Sequence, residues 1–339
     1  MIEQGHERRQ RPPFDETTGH AVHPRSGQFS STSTEALPGP ARSDVPLVSV
    51  GLPVYNGERF LEAAMRSILD QTFDDLELIV SDNGSTDATP DIVRELSASD
   101  PRIRYIRVAD NRGAMWNFNE VFRQSRGRYF KPAAHDDLHE PTFLERCLEV
   151  YREAPSSVVL VHPRTTLIDG DDEVIGVQDD HLQLVDRDPA RRLQHYLRHV
   201  KMVNPLFGLH RRDAFASTRG FQSFVSADVV LLAELAMRGE FWEIPEPLFL
   251  RRDHEGRSER AHASIQELAA FYDPDRRLRL SGRQTRVFWG LLRAAIEAPL
   301  SPGARLRCLR SVALDYGWHA KRGMVTELLS AVPGVGGHR

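Results

Sequence analysis

Residues 76–89 read LELIVSDNGSTDAT, an apolar run that changes at Asp82 into a cluster of small polar residues. The continuous apolar run predicts a strand that is buried on both faces. The Asn-Gly pair that follows predicts a turn, and the Ser-Thr-Asp triplet at 85–87 offers N-caps for a helix. A buried strand followed by a polar turn and a helix is half of a βαβ unit, so this stretch predicts a parallel sheet.

The same pattern recurs on both sides of this stretch. LVSVGLPV (47–54) predicts another doubly buried strand, and the segments 103–108 and 128–134 predict two more, with a helix after each of the first three strands. Repeated alternation of strand and helix implies parallel strands joined by right-handed crossovers. The sequence therefore predicts an α/β fold whose mostly parallel central sheet is flanked by helices.

Polar residues follow three of these strands at the point where each strand ends. They are Tyr55-Asn56, Asp82-Asn83 and Asp136-Asp137. In open α/β sheets, ligands bind outside the carboxyl ends of the strands. The sequence therefore predicts a binding site at this edge of the sheet.

The rest of the chain divides into three regions. Residues 1–44 are rich in Pro, Gly, Ser, Thr and Arg and predict disorder, because they cannot bury enough apolar surface to offset the entropy of ordering. Residues 45–262 form one domain, and residues 263–339 form a helical C-terminal extension. Within the domain we predict further elements: a helix ending near Glu153, a hairpin turn at 169–173, a helix at 188–199, a short strand at 204–210, a helix at 228–237 and an extended segment at 241–252.

Charge and cysteine content narrow the class of protein. The 339 residues carry a formal net charge of −4, so no overall basic field exists to attract nucleic acid. Cys147 and Cys308 lie far apart in predicted helices and suit buried, reduced thiols better than a disulfide framework. The amino-terminal residues lack the apolar run of a signal peptide, and no segment reaches the length of a membrane span. We therefore expect a cytoplasmic protein, with association with the cytoplasmic face of a membrane left open.

Several segments in a fixed order carry a resemblance to a known family. They are VGLPVYNGERFLEAAMRSILDQTF, ELIVSDNGSTDAT, NRGAMWNFN, GRYFKPAAHDD, VSADVVLLAELAMRG and IPEPLFLRRDHEGRS. From Val48 to Ser258 the chain resembles family 2 of the glycosyltransferases, which have the GT-A fold. The resemblance implies an inverting enzyme that moves a sugar from a nucleoside diphosphate sugar to an acceptor hydroxyl, assisted by Mg²⁺ or Mn²⁺.

The adjacent carboxylates of Asp136 and Asp137 predict a cation, because like charges at this spacing repel each other. Mg²⁺ and Mn²⁺ prefer such oxygen ligands and often share them with substrate phosphates. The resemblance implies that Asp137 is a metal ligand, that Asp136 lies nearer the ribose, and that His254 reaches the metal or a phosphate. Many relatives carry a further Asp where this chain has Ala134. The alternative role, capping of the next helix, is disfavoured because that helix is expected to start at Pro141.

The resemblance also assigns residues to the nucleotide sugar. Asp82 would accept a hydrogen bond from the base. Arg252, in a cationic loop, would close over the diphosphate. The remaining residues would surround the base and ribose: Pro53, Tyr55, Glu58, Asn111, Gly113 and Asn119. Structural alternatives stay open for several of them. Asp82 suits a turn, Glu58 suits the first turn of a helix, and Arg252 suits a solvated charge run. Gly113 suits a backbone position with positive φ.

Asp228 is the candidate general base that deprotonates the attacking hydroxyl. Attack opposite the leaving diphosphate would invert the anomeric centre. Near a helix start an Asp is also favoured by the helix dipole, so a structural role is the alternative. Relatives have Glu-Asp where this chain has Ala227-Asp228.

Two other functions compete with this interpretation. A nucleotidyltransferase would carry a Gly-rich, basic loop after the first strand, where this chain has VYNGE. A non-catalytic binder of sugar nucleotides is the second alternative, because two of the family's carboxylates are missing. The donor is expected to be of the UDP or dTDP type, and the acceptor, whether a sugar, a lipid-linked compound or a small molecule, stays open. The basic C-terminal helices suit contact with anionic lipid, or packing on the domain or on a second subunit, and we favour packing.

Overall fold

The computed structural model describes residues 45–256, 271–272 and 282–330. Of residues 328–330 it describes the backbone alone. The disorder predicted for residues 1–44 lies outside the described residues. So do the parts of the predicted helical extension at 263–270, 273–281 and 331–339.

Nine strands within the described residues form one sheet, in the order β3-β2-β1-β4-β8-β6-β9-β5, with β7 paired to β6. Their bounds are β1 Val48–Val54, β2 Leu76–Asp82, β3 Ile103–Arg107, β4 Tyr129–Pro132, β5 Leu138–His139, β6 Val158–Ile168, β7 Val174–Gln178, β8 Leu209–Arg211 and β9 Glu240–Arg252.

The sheet has a parallel part and a mixed part. Strands β1 to β4 are parallel, and in register Val54 of β1 pairs with Asp82 of β2. The antiparallel strand β8 joins β4 to β6, which pairs in parallel with β9. The parallel arrangement predicted for the first four strands is confirmed, and the later strands make the whole sheet mixed.

Helices follow the predicted alternation. Their bounds are α1 Leu61–Leu69, α2 Thr89–Ser99, α3 Ala114–Gln124, α4 Phe143–Glu153, α5 Pro189–His199, α6 Arg212–Ala216, α7 Ala227–Arg238, α8 Arg283–Glu297, α9 Pro302–Ser311 and α10 Trp318–Ser330. The prediction of a strand at 204–210 is wrong for the first half of that segment. Asn204–Phe207 is a short 3₁₀ helix, and the strand there is only three residues long, from Leu209 to Arg211. Pro205 suits the first turn of a helix, because its missing N–H needs no partner there.

The C-terminal helices pack on the domain through α8 and α7. Val287 and Leu291 of α8 belong to the same buried cluster as Val230 of α7.

Both cysteines, Cys147 and Cys308, are buried and form no disulfide, as predicted. In the part of the chain that the structure describes, every helix is too short or too polar to cross a membrane.

A buried carboxylate fixes the end of the sheet opposite the predicted binding edge. Glu77 of β2 is 3% exposed and accepts hydrogen bonds from the hydroxyl of Ser49 and from the guanidinium groups of Arg104 and Arg126. Burial raises the pKa of Glu77, but these hydrogen bonds outweigh that effect and lower it. The amino ends of β1 and β2 are therefore joined to the chain that enters β4.

Candidate active site

A cavity of about 310 Å³ opens at the carboxyl ends of β1, β2 and β4. We call it the main cavity. Loops after these strands, the first turns of α3 and α7, and the end of β9 form its walls, which include Pro53, Tyr55, Asn83, Asn111, Asn117, Asp136, Asp137, Asp228, Arg251 and Arg252. Its volume lies in the range of pockets that bind small molecules, which is roughly 300–1,000 Å³. The polar residues predicted at three strand ends therefore meet around one cavity.

The carboxylate pair lies between β4 and β5 and is held from β9. Asp137 is 4% exposed, and its Oδ1 accepts a hydrogen bond from the backbone N–H of Arg252 at 2.9 Å. Nε2 of His254 lies 2.9 Å from Oδ2 of Asp136. Burial raises the pKa of Asp136, but the charges of His135 and His254 and the hydrogen bond with His254 together lower it to about 2. Asp136 is therefore ionised at neutral pH.

Arg252 lines the main cavity, but its guanidinium is already bound by other groups. Nε donates to the carbonyl oxygen of Asp136 at 2.8 Å, and Nη1 donates to the carbonyl oxygen of Asp169 at 3.1 Å and to the carboxylate of Asp172. The guanidinium also lies over the ring of Phe60, 4.4 Å from its centroid. Its predicted role at the diphosphate stays a prediction. In the geometry described here, Arg252 ties the carboxylate pair to the β6–β7 hairpin turn.

The donor atoms of this region fit a divalent cation that is shared with a substrate. Among the described residues, no group of three or more His, Cys, Asp and Glu side chains is placed to hold a metal ion. Mg²⁺ and Mn²⁺ nevertheless often bind through one or two carboxylates and complete their coordination with water and phosphate oxygens. Asp136 and Asp137 supply such a pair on the cavity wall. The imidazole nitrogen of His254 that would bind a cation is the one that contacts Asp136.

Asp82 is 0% exposed and is absent from the described wall of the main cavity, whereas its neighbour Asn83 is part of that wall. The carboxylate of Asp82 accepts hydrogen bonds from the N–H of Ser85 at 2.8 Å and the hydroxyl of Tyr105 at 2.9 Å, and it lies 3.1 Å from Nε of Arg107. Burial and the hydrogen bond to Asp82 raise the pKa of Tyr105 well above its ordinary value, so the phenol stays protonated and donates. Sequence reasoning missed Tyr105 and Arg107, although both lie on the neighbouring strand β3.

The residues that follow β1 separate into two groups. Pro53 and Tyr55 line the main cavity, and Tyr55 is 40% exposed, so its ring is available for stacking. Glu58 is absent from the described cavity wall. Its Oε2 accepts a hydrogen bond from the N–H of Ala88 at 2.9 Å, and its own N–H donates to Asp87 at 3.0 Å. Glu58 therefore stabilises the start of α2, and its contact with the nucleotide stays a prediction.

The start of α3 is joined to the end of β2 by a network of amides. Asn83 donates to Oδ1 of Asn111 at 2.9 Å and accepts from the N–H of Arg112 at 3.0 Å. Gly113 has φ of +86°, a conformation that other residues rarely adopt, and it precedes the first residue of α3. Asn117, which sequence reasoning missed, is 2% exposed and donates to the carbonyl oxygen of Ser81 at 2.9 Å.

Asn119 bonds to the backbone of the loop before α7. Its Nδ2 donates to the carbonyl oxygen of Phe221 at 2.7 Å, and its Oδ1 accepts from the N–H of the same residue at 3.0 Å. It is absent from the described wall of the main cavity, whereas Phe221 is part of that wall. Asn119 therefore fixes the loop before α7, and its predicted contact with the nucleotide stays untested.

Asp228 lies in the first turn of α7, on the wall of the main cavity. Its Oδ1 accepts a hydrogen bond from the N–H of Val229 at 2.8 Å. The residue before the helix, Ser226, has φ of +66°, so the chain turns sharply into α7. The structure thus brings Asp228 to the same cavity as Asp136 and Asp137, across more than 90 residues of sequence.

A buried lysine supports one wall of this cavity. Lys131 of β4 is 1% exposed, and its Nζ donates to the carbonyl oxygen of Phe207 at 2.9 Å and to that of Pro132 at 3.3 Å. Burial lowers the pKa of Lys131 to about 7. Leu206 and Phe207 of the 3₁₀ helix line the main cavity, so Lys131 holds this short helix in place. The single charged residue within YFKPAA (129–134) was the signal that could have revealed it.

Comparison with known proteins relates residues 49–203 to a family. The profile described as Glycosyl transferase family 2 matches residues 49–203. Over 109 residues the chain is 39% identical to a chondroitin synthase of Escherichia coli, in a match that covers 32% of this chain and 16% of the synthase. Over 108 residues it is 36% identical to the putative teichuronic acid biosynthesis glycosyltransferase TuaG of Bacillus subtilis, covering 32% of this chain and 43% of TuaG. The matches span less than half the length of either relative.

The fold agrees with this match. S. aureus TarS 1–349 superimposes with a TM-score of 0.58 and 14% identity, covering 84% of this chain and 78% of the TarS chain. Structures of TarS 1–349 with UDP and with UDP-GlcNAc give TM-scores of 0.56 and 0.57. The chain therefore has an α/β fold similar to that of GT-A glycosyltransferases such as TarS. Residues 49–203 match the Glycosyl transferase family 2 profile, the family that the sequence resembles.

Proposed function

We propose that this chain transfers a sugar from a nucleoside diphosphate sugar to an acceptor hydroxyl, with inversion at the anomeric carbon and with a divalent cation bound at the diphosphate. One observation carries the proposal. Asp136, Asp137 and Asp228 line a single cavity at the carboxyl ends of parallel strands, in a chain that matches Glycosyl transferase family 2. This arrangement supports a metal-binding side and a base on the two sides of one reacting sugar.

Each group then has a chemical task. Asp228 accepts the proton of the attacking hydroxyl, as a positioned carboxylate can. Asp136 and Asp137 would hold Mg²⁺ or Mn²⁺, which supplies positive charge for the leaving diphosphate. The exposed ring of Tyr55 stacks on the base. Asp82 is buried and held by Tyr105 and Arg107, so its hydrogen bond from the base stays a prediction of the sequence resemblance. UDP is the first nucleotide to test, because TarS, which shares the fold, was solved with it.

Nucleotide binding with and without metal tests the proposal. We expect UDP or dTDP to raise the melting temperature of the protein in a panel of nucleoside diphosphates, and Mn²⁺ to increase that shift, because only a ligand of the folded state stabilises it. Replacing Asp137 by Asn should abolish the increase due to Mn²⁺. Glu62→Gln is the matched control, since Glu62 is exposed on α1, where it pairs with Arg66. A shift that is the same with and without Mn²⁺ in the wild type would refute the metal site, and no shift with any nucleotide would refute the function.

The cellular location stays a prediction from the sequence. Cytoplasmic location was inferred from the two thiols, and contact with a membrane from the basic C-terminal helices. Trp289 and Trp318 on these helices are each 64% exposed and would be the residues to meet a lipid surface. Arg276, Arg277 and Arg279, which contributed to the idea of a basic interfacial helix, lie outside the described residues.

A further inference from the structure

A second cavity, of about 380 Å³, lies beside the main cavity. The two share part of their walls, namely Val203, Asp228 and Arg251. The candidate base therefore borders both cavities. The carboxylate pair Asp136 and Asp137 lines the main cavity and is absent from the wall of the second.

Among the described residues, the wall of the second cavity has three cationic side chains, Lys201, Arg251 and Arg283, and two carboxylates, Asp228 and Asp253. These five side chains together carry one net positive charge. This differs from the charge of the whole chain, which is −4. A cavity with this excess attracts an anion more than a neutral group.

Two of these cations are available to a ligand. Lys201 and Arg283 are exposed, and within the described part of the chain neither has an ion pair or a hydrogen bond, although Arg283 interacts electrostatically with the carboxylate of Glu327. Arg251 is oriented by the side-chain oxygen of Asn204, and Nδ2 of Asn204 donates to Asp180 at 3.1 Å. The cation between the two cavities is thus held in place, while the two outer cations are exposed.

The position of Asp228 indicates what the second cavity holds. A base must contact the acceptor hydroxyl, and the acceptor must approach from the side away from the leaving diphosphate. If the diphosphate lies against Asp136 and Asp137, it occupies the main cavity, and the second cavity, which Asp228 lines and the carboxylate pair does not, is left for the acceptor. A carboxylate or phosphate on the acceptor would form charge-assisted hydrogen bonds with Lys201 and Arg283.

Most of the second cavity is built by chain that the family profile does not match. That match ends at residue 203, whereas Asp228, Arg251 and Arg283 come later in the sequence. Arg283 is the first residue of α8, in the C-terminal extension. The cavity therefore combines Lys201 from the matched region with residues that lie beyond it.

We propose that the second cavity is an acceptor site that selects a saccharide carrying an anionic group, with Lys201 and Arg283 binding the anion. This inference rests on the proposed function. In the transfer, the acceptor O–H bond breaks and its proton goes to Asp228, while the acceptor oxygen forms a bond to the anomeric carbon. The bond from that carbon to the diphosphate breaks, and its electron pair leaves with the diphosphate.

Binding of model acceptors to the full chain loaded with UDP and Mn²⁺ tests the inference. The probes are p-nitrophenyl β-glucuronide, the uncharged p-nitrophenyl β-glucoside and its 6-phosphate, measured by ligand-observed NMR. We expect an anionic probe to bind about tenfold more tightly than the glucoside, a difference of about 1.4 kcal/mol. That preference should fall to about twofold or less in the double variant Lys201→Met/Arg283→Met. A preference for the 6-phosphate over the glucuronide would identify phosphate as the anion and uphold the site.

The matched control is Lys321→Met/Arg310→Met, which removes the same charges from helices α9 and α10 outside both cavities. It should keep the full preference. Equal binding of charged and uncharged probes to the UDP-loaded protein would overturn the inference and leave the proposed function intact. A loss of UDP affinity in the Lys201/Arg283 variant, with the probe preference unchanged, would assign these cations to the donor and also overturn it. Failure of UDP to bind the wild type would remove the proposed function and this inference with it.

Discussion

Asp228 is the residue on which the enzymatic interpretation depends. It lies where a helix dipole would favour any carboxylate, yet it also borders both cavities. A stabilising residue would affect folding when changed, whereas a base would affect turnover alone. The two roles can therefore be separated by measurement.

We expect Asp228→Asn to lower the turnover number by about 10²- to 10⁴-fold, the contribution typical of general base catalysis. The amide is similar in size to the carboxylate but cannot accept the proton, so UDP affinity in the presence of Mn²⁺ should stay unchanged. Sugar transfer followed by UDP release, alongside UDP titration, would measure both quantities. Full turnover in the variant would rule out the base, and a wild type that binds UDP but transfers to no acceptor would favour a non-catalytic binder.

At the scale of elements, two asparagines in and just before helix α3 have different neighbours. Asn111, just before the helix, lines the main cavity, whereas Asn119, within it, bonds to the backbone of Phe221. The loop containing Phe221 leads into α7 and Asp228. Contacts between secondary-structure elements thus position the candidate base from a distance.

We expect Asn119→Ala to lower the free energy of unfolding by about 1–3 kcal/mol, because two hydrogen bonds to Phe221 are lost. UDP affinity should not change if Asn119 has only this structural role. Asn111→Ala is the comparison, and it should weaken UDP binding because its side chain faces the cavity. Denaturant unfolding and UDP titration of both variants decide the matter. If Asn119→Ala lost as much UDP affinity as Asn111→Ala, the contact between Asn119 and the nucleotide that the sequence predicts would be supported.

Helix α8 links the C-terminal region to the domain. Leu291 is 0% exposed and belongs to the same buried cluster as residues of α7. Leu291→Ala should therefore cost about 2–5 kcal/mol of stability by leaving a cavity. Trp289→Ala on the same helix is the control, since Trp289 is 64% exposed and its loss should change stability by less than about 0.5 kcal/mol. Similar effects of the two changes in urea unfolding would contradict the packing of α8 on the domain.

At the scale of the whole molecule, buried histidines make stability depend on pH. His210 is 0% exposed, and its Nε2 lies 2.7 Å from the carbonyl oxygen of Leu206. Burial lowers its pKa, the hydrogen bond to Leu206 opposes this in part, and the charges of Lys131 and His162 add to the lowering, so that the pKa falls from 6.5 to about 4. As the pH falls below 6.5, the unfolded chain takes up the proton first. The stabilisation is therefore complete above pH 6.5 and is lost progressively as the pH falls to about 4.

We expect the wild type to lose about 3 kcal/mol more stability than His210→Gln between pH 6.5 and pH 4. Gln stays neutral across this range and can donate to the carbonyl oxygen of Leu206. Urea unfolding at several pH values measures the difference. His162, whose pKa burial also lowers to about 4, titrates in both proteins, and the measured difference includes its electrostatic interaction with His210. Parallel pH profiles for the two proteins would show that His210 is not responsible.

The sequence by itself determined the order of strands and helices and the edge of the sheet that carries the cavity. These features follow from local patterns. A continuous apolar run predicts a doubly buried strand such as Leu76–Asp82. In a parallel sheet, the polar residues that follow each strand lie at the carboxyl edge of the sheet. The 3₁₀ helix Asn204–Phe207 was mistaken for a strand, because a four-residue element is too short to show a period.

The tertiary structure alone decided which side chains share a surface. Arg252 contacts Asp172 across 80 residues of sequence and Asp136 across 116, and no local pattern announces either partner. The same holds for Asn119 with Phe221 and for Arg283, which reaches the second cavity from the C-terminal extension. A hydrogen bond or ion pair forms with the nearest complementary group in space, and that group is known only once the sheet and its helices have packed.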